Sequence, residues 1–511
     1  MKASRTTTQK IGLALGPLLF LILLACDLEP GNPAATRLAA VAALMATWWI
    51  TDAIPLFATS LVPLVLYPVL GILSGKATAP IYVNSTIFLF IGGFMIALTM
   101  EKWNLHRRIA LTIIRLIGGS PSRIILGFMI AAAFLSMWIS NTATAVMMIP
   151  IGMAIILQLE EEFGREKVHT FSVALMLGIA YACSVGGIAT LVGTPPNLSF
   201  TRIFQIMFPD APAVEFGRWI LLGIPVCVLM LAVIWFVLTR IFYRTGSEIA
   251  VNPQIVETEY ERLGPISFEE KAVLVVFALT AVLWVFRKPL DFGLFSLPGW
   301  SGLLPFPELL DDGTVAIAMA MVLFFIPTRS PDAQSASVMD RDVIPRLPWG
   351  IVLLFGGGFA LAQGFQVTGL STLIGNQFGG LAGTSPFVMT ILICLTLTFL
   401  TELTSNTATT EMILPILAAV AVAMRVHPLL LMVPATLSAS CAFMMPVATP
   451  PNAIVFGSGR IRIAEMARVG VVLNLIGALV ITVLFYLVGT HVFGIDFAVF
   501  PEWAAAVAGT P

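Results

Sequence analysis

Long runs without charge alternate along the chain with short polar or basic stretches. Residues 11–26, 38–50, 56–73, 86–100, 219–239, 272–286, 314–327, 349–365 and 471–489 are nearly charge-free. Most are long enough to contribute to a membrane span of about 20 residues. The first run follows Lys2, Arg5 and Lys10 and ends at Leu23, Leu24, Ala25 and Cys26. It reads either as a secretory signal with a lipidation site or as an uncleaved first span; the polytopic remainder favours the span. The stretch 124–164 differs. It holds no Lys or Arg, yet Ser136, Ser140, Asn141, Thr142 and Thr144 fall in its middle. Roughly 16 to 20 residues lie on each side, too short for two full spans of about 20 residues, so the pattern predicts a re-entrant hairpin with a polar tip. Between Arg346 and Arg425, the residues Thr401, Ser405, Asn406, Thr407 and Thr409 repeat the arrangement. Non-helical backbone at that depth must be satisfied by protein or by a watery cavity. Residues 102–119 mix Lys102, Arg107, Arg108 and Arg115 with apolar residues, as in an interfacial helix with its basic face toward headgroups. The corresponding 366–384 is far less charged and reads equally well as a loop.

Composition agrees with the pattern. Hydrophobic residues make up 58% of the 511 and charged residues 11%, against about 25% charged in a soluble domain. A net charge of −1, with basic residues scattered rather than striped, speaks against a nucleic-acid partner. With the N-terminus in the cytoplasm, stretches near 1–10, 101–123, 160–169, 240–271, 328–347 and 460–468 carry 20 of the 27 Lys and Arg residues, the bias of the positive-inside rule. The cysteines (Cys26, Cys183, Cys227, Cys394, Cys441) lie in apolar segments without metal or redox spacing, which predicts buried, inert thiols. The four histidines sit at segment edges and form no ligand cluster.

The chain also repeats itself. Phe90-Ile91-Gly92-Gly93-Phe94 recurs as Phe355-Gly356-Gly357-Gly358-Phe359, and Ser140-Asn141-Thr142-Ala143-Thr144 as Ser405-Asn406-Thr407-Ala408-Thr409, both at an offset of 265. Thr194-Pro195-Pro196-Asn197 recurs as Thr449-Pro450-Pro451-Asn452 at an offset of 255; the second half lacks the charged loop around Glu160 to His169. An odd number of spans between copies gives the halves opposite orientations, the arrangement of inverted-repeat transporters.

The repeated residues suit ion and anion binding. Two prolines lack amide donors and clash with the preceding turn, so the helix breaks at Pro195-Pro196 and again at Pro450-Pro451. Freed carbonyls with Ser, Thr and Asn oxygens make a small hard-cation site, and helix N-termini at the tips favour an anion. With no Lys or Arg in these windows, a bound anion is neutralised by helix ends and co-bound cations, a physical reason for coupling to Na+. Such side chains often only bond across to neighbouring helices, but two copies in register, each followed by a break, mark a binding site. Glu402 beside Thr401, and Glu411, whose counterpart is Val146, either carry a coupling proton or serve the structure; the structural role is taken for both. Nothing pairs a nucleophile with a base at membrane depth, so an enzyme is not expected. The inverted repeat with broken helices argues against a channel.

At these motifs the sequence resembles the divalent anion:sodium symporter family of di- and tricarboxylate and sulfate carriers, over nearly the whole chain. The resemblance implies an all-α polytopic membrane protein with an inverted repeat, about eleven transmembrane helices plus two re-entrant hairpins, a homodimer and elevator-type movement. It divides the chain into an N-terminal span (1–34), repeat 1 (35–245), a cytoplasmic linker (246–270) and repeat 2 (271–511). It implies one Na+ site at Ser136, Ser140, Asn141 and the Gly193 carbonyl, and a second at Thr401, Ser405, Asn406 and the Ala448 carbonyl. Substrate carboxylates meet Asn141, Thr142, Thr194, Pro195, Asn406, Thr407, Thr449 and Pro450. The function so implied is Na+-coupled uptake of a C4 dicarboxylate such as succinate, malate or fumarate across the inner membrane. A Na+-independent dicarboxylate exchanger and a sulfate or citrate carrier are the alternatives. Glu411 departs from the family pattern, where many relatives look small or apolar; near the site it would alter the preferred substrate charge or the coupling ion.

Overall fold

The computed structural model describes residues 5–244, 254–291, 295–331, 335–378, 380, 383–497 and 499–508. Residues 246–253 of the expected linker lie outside them. Nine described helices are long and apolar enough to cross a bilayer. The first half begins with α1 (Thr7–Ala25), started by a Thr6/Gln9 capping box, and α2 (Pro33–Thr51), where Asn32 caps and Pro33 occupies the first turn. The short α3 (Leu56–Thr59) and α4 (Val62–Leu70) follow, then α5 (Gly75–Thr78) and a 3-10 turn, Ala79–Tyr82. Next come α6 (Ser85–Lys102), the surface helix α7 (Leu105–Ile117), α8 (Pro121–Ser136), α9 (Asn141–Phe163), α10 (Arg165–Ile188), α11 (Pro195–Met207) and α12 (Phe216–Phe236).

The linker contains α13 (Gln254–Glu261). The second half runs through α14 (Phe268–Val285), α15 (Asp312–Phe325), α16 (Val343–Arg346), α17 (Trp349–Thr368), α18 (Leu370–Gln377), α19 (Pro386–Leu400), α20 (Asn406–Ala423), α21 (Leu429–Ala439), α22 (Pro450–Gly457) and α23 (Ile463–Leu484). The short α24 (Thr490–Val492) and α25 (Glu502–Ala508) close it. A two-residue ladder pairs Leu290–Asp291 with Ser296–Leu297 in a loop.

The two halves repeat one packing scheme. Arms α8 and α9 meet at residues 137–140 and both pack on α10; arms α19 and α20 meet at 401–405 and both pack on α21. The scheme then crosses over, since α11 packs on α20 and α22 on α9. Each broken helix therefore touches the hairpin of the other half. Helix α10 is buried along its whole apolar window, as a helix that is hydrophobic all round must be. Its approach to α8 requires glycine: a β-carbon at Gly186 would lie 2.3 Å from the Ala133 carbonyl oxygen.

Charge pairs sort the loops by face. Arg107, Arg108 and Arg115 of α7 pair with Glu259, Glu270 and Glu257 of the linker and the start of α14; Lys102 meets Asp340 at 2.8 Å and Arg346 meets Glu101 at 3.5 Å. Arg460 pairs with Glu160, and His169 with Glu465 at 2.9 Å. All of these join stretches assigned above to the Lys- and Arg-rich face. Arg287 with Glu215 and Asp312, and Lys288 with Glu308, lie on the other face. Among the described residues no ion pair links stretches assigned to opposite faces. Partial burial pushes the Asp340 carboxyl up, but the Lys102 ammonium and the Asp342 amide outweigh it and hold the carboxyl below its ordinary value.

Two expectations need correction. The middle of the basic face of α7 turns toward protein rather than headgroups: Arg108 is buried, donates to Glu270 at 2.7 and 3.2 Å, and reaches the Leu263 and Gly264 carbonyls, while Arg107 is half-buried and Arg115 exposed. The acidic residues of the linker, distant in sequence, supply the counter-charge. Of the five cysteines, four are buried, but Cys26 is exposed, because α1 packs chiefly on α2 and its end lacks neighbours.

Candidate functional site at the hairpin tips and helix breaks

Both tips fold by the same local rule. Ser140 caps α9, its hydroxyl accepting from the Ala143 amide at 3.1 Å, and Ser405 caps α20, accepting from Ala408 at 3.5 Å. The cap turns the chain so that the end of one arm meets the start of the next. The Ser136 hydroxyl donates to Asn141 Oδ1 at 2.5 Å, and Thr401 Oγ1 donates to Asn406 Oδ1 at the same distance. Each pair spans five residues and occupies equivalent places in the two halves.

The breaks are held open by their asparagines. Asn197 Nδ2 donates to the carbonyls of Gly187, Ile188 and Thr190 at 3.2, 3.3 and 2.7 Å; Asn452 Nδ2 donates to Ala442 and Met445 at 3.1 Å each. Ala442 and Met445 are the counterparts of Gly187 and Thr190. Each amide thus satisfies carbonyls that lose helical partners at the break. Because Pro195-Pro196 and Pro450-Pro451 fill the first two positions of α11 and α22, those helix starts offer fewer amides than the tips do.

In the first half the oxygens converge on one small space. A β-carbon on Gly187 would sit 2.9 Å from Asn141 Oδ1 and 3.0 Å from the Gly193 carbonyl oxygen; one on Gly193 would sit 3.0 Å from the Met137 carbonyl oxygen. Glycine at both positions lets neutral oxygens gather there, the donor set a hard cation prefers. In the second half, Thr401 Oγ1 also contacts the Ala439 carbonyl at 3.1 Å. Ala448 is buried nearby in sequence, at the end of the break, but it is Ala439 that the tip residue touches.

The two halves differ where they meet solvent. Thr194 and Thr449 are buried, whereas Thr142 is exposed and its counterpart Thr407 is buried; Pro450 is exposed and Pro195 only half-buried. Thr142 and Pro450 belong to α9 and α22, which pack on each other, so both exposed residues lie on that side.

Sequence reasoning missed the work of Glu402. Its Oε1 accepts from the Phe443 and Met444 amides at 2.6 and 2.9 Å and from Asn474 Nδ2 at 2.8 Å, while Oε2 accepts from the Met445 amide at 2.9 Å. The carboxylate satisfies three amides freed by the second break, which makes the structural role concrete. Met137 stands at the equivalent place; there the Thr190 hydroxyl donates to the Met137 carbonyl at 2.5 Å and accepts from the Gly193 amide at 3.0 Å. Asn197 and Asn452 were signalled by closing a repeated motif; Asn474, on α23, had no signal. Glu411 is fully buried and contacts Ser199 and Gly358, not the tip asparagines.

Known proteins are similar to this chain. Residues 11–495 match the family model described as the sodium:sulfate symporter transmembrane region. The sodium-dependent dicarboxylate transporter SdcS of Staphylococcus saprophyticus is 43% identical over 495 residues, covering 96% of this chain and 93% of that protein. SdcS of Staphylococcus aureus strain MRSA252 is 44% identical over 497 residues, with 96% and 93% covered. Among solved structures, the Alcanivorax borkumensis YdaH transporter has a TM-score of 0.57 at 15% identity, covering 94% of this chain and 99% of that one. MtrF of Neisseria gonorrhoeae has a TM-score of 0.54 at 15% identity, with 91% and 97% covered. These last two show a shared fold alone. With its paired tips, paired breaks and a family match along almost its entire length, the chain belongs to the divalent anion:sodium symporter family.

Proposed function

We propose that this protein is a secondary active transporter that couples Na+ entry to uptake of a dianionic C4 dicarboxylate. The observation that carries the reading is the twofold Ser/Thr-to-Asn contact at the tips, set against carbonyl-bearing breaks without a Lys or Arg among the motif residues. Two Na+ ions, one per half, supply the counter-charge for the substrate. The first uses Ser136, Ser140, Asn141 and the Gly193 carbonyl, and the second Thr401, Ser405, Asn406 and a carbonyl of the break at Ala448. The substrate lies between Asn141, Thr142, Thr194 and Pro195 of one half and Asn406, Thr407, Thr449 and Pro450 of the other. The names of the SdcS relatives, sodium-dependent dicarboxylate transporters, support the same substrate class and coupling ion.

The chain is read as eleven crossings and two re-entrant hairpins in a homodimer of the inner membrane, its N-terminus cytoplasmic. The hairpins and broken helices move as one body against the remaining helices, in the manner of an elevator. Uptake of labelled succinate into proteoliposomes tests the function: an inward Na+ gradient accelerates it, and equal rates with and without the gradient refute Na+ coupling. The family model's own description names sulfate, so competition by sulfate and by citrate belongs in the same assay. Strong competition by sulfate and none by malate or fumarate overturns the dicarboxylate assignment.

A further inference from the structure

Glu411 stands apart from the symmetric site. It is fully buried, its Oε1 accepts from the Ser199 hydroxyl at 3.0 Å, and Oε2 has no hydrogen-bond partner. Oε2 is aimed at α17, where a β-carbon on Gly358 would lie 2.4 Å from both it and the carboxyl carbon. The neighbouring glycines of the motif make the same close approach elsewhere. A β-carbon on Gly356 would strike the Tyr82 ring and one on Gly357 the Ser60 side chain, while the Tyr67 hydroxyl donates to the Ala360 carbonyl at 2.8 Å. One side of α17 is therefore fastened to the first-half helices, and another receives a carboxyl carried by α20.

Among the described residues no ion pair or hydrogen bond brings a cation to that carboxyl. The elements packed most closely on α20 are α2, α11, α17, α18, α21 and α25. Helices α17, α18 and α21 contain no Asp, Glu, Lys, Arg or His, and α20 has only Glu411. Arg37 of α2 donates to the Leu70 carbonyl, and Arg202 of α11 reaches Gln205 at 3.5 Å. The third ionisable group is Glu502 of α25, and the nearby Tyr82 hydroxyl donates to the Ser60 carbonyl at 2.6 Å. An ionised carboxylate with one neutral donor, sealed at membrane depth, is strongly disfavoured relative to the neutral acid.

We propose that Glu411 is a proton-binding group of the transport cycle, taking up one proton as α11 and α20 dock on Gly358 and returning it to water when they move away. The proposal rests on the elevator reading, in which Ser199 travels with Glu411 while Gly358 stays behind. The step balances simply: a proton from water joins the carboxylate to form the acid, and the same O–H bond breaks when water reaches it.

Two readouts on the full chain test this. Succinate equilibrium exchange is followed from about pH 7 to about pH 9, where the substrate stays fully ionised. Wild type slows several-fold across that range, whereas Glu411→Gln, permanently neutral, stays flat; superimposable profiles overturn the proposal. In detergent, the gap in thermal midpoint between Glu411→Gln and wild type widens as pH rises, because the native wild type holds the extra proton. A constant gap also overturns it. Glu411→Met serves if the Gln variant does not fold. Absence of any exchange by wild type contradicts the transport function instead, and the midpoint comparison then decides the protonation claim by itself.

Discussion

At the scale of single residues, the account rests on oxygens that have no charge of their own. Asn141 and Asn406 each receive one hydroxyl from the opposite arm of a hairpin. Removing that hydroxyl by Ser136→Ala or Thr401→Ala takes away a contact worth about 1 kcal/mol. Each variant is expected to raise the Na+ concentration for half-maximal uptake by roughly 5- to 10-fold, measured as initial rate against external Na+. Asn141→Ala and Asn406→Ala remove oxygens that the proposed function assigns to both Na+ and substrate, and are expected to abolish uptake while the protein still elutes as folded material. Glu402 makes a different prediction. Glu402→Gln turns an amide donor toward backbone N–H groups and leaves at least one unmatched, costing about 2–3 kcal/mol. Its thermal midpoint drops, and its transport defect follows the loss of folded protein rather than a change in Na+ dependence.

Elements repeat the logic one level up. The breaks exist because consecutive prolines stop a helix, and they persist because Asn197 and Asn452 bind the carbonyls so released. Asn197→Ala leaves two or three buried carbonyls without a partner, a loss of about 1–3 kcal/mol, read as a lower midpoint in a thermal melt. Helix α7 makes the matching prediction outside the site. Breaking its buried Arg108–Glu270 pair from one side by Glu270→Ala is expected to cost about 3–5 kcal/mol, more than Arg115→Ala at the exposed pair with Glu257.

Much of this was legible in the sequence for one reason: the motif was written twice. The Ser140 and Ser405 caps and the proline breaks follow from local rules about donors and prolines, and the structure forms them where those rules place them; span length misled, because α9 (23 residues) and α20 (18 residues) are long and apolar enough to cross a bilayer. Contacts between distant segments were not legible. Nothing near Glu402 in the chain points to the amides at 443–445 or to Asn474, and nothing in α7 says that Glu259 and Glu270 lie against its arginines. Cys26 was misread because an apolar neighbourhood in sequence does not guarantee neighbours in space.

On the scale of the whole molecule, the halves exchange partners: α11 lies on α20 and α22 on α9. In the proposed function, a cation held at one tip is thereby linked to the broken helix of the other half. The central claim is that co-bound Na+ provides the counter-charge for the anion. Binding of labelled succinate to the purified protein, with Na+ replaced stepwise by choline at constant ionic strength, tests it most directly. Succinate binding is expected to vanish without Na+ and to rise more steeply than first order as Na+ is restored; equal succinate affinity in Na+ and in choline would contradict the account.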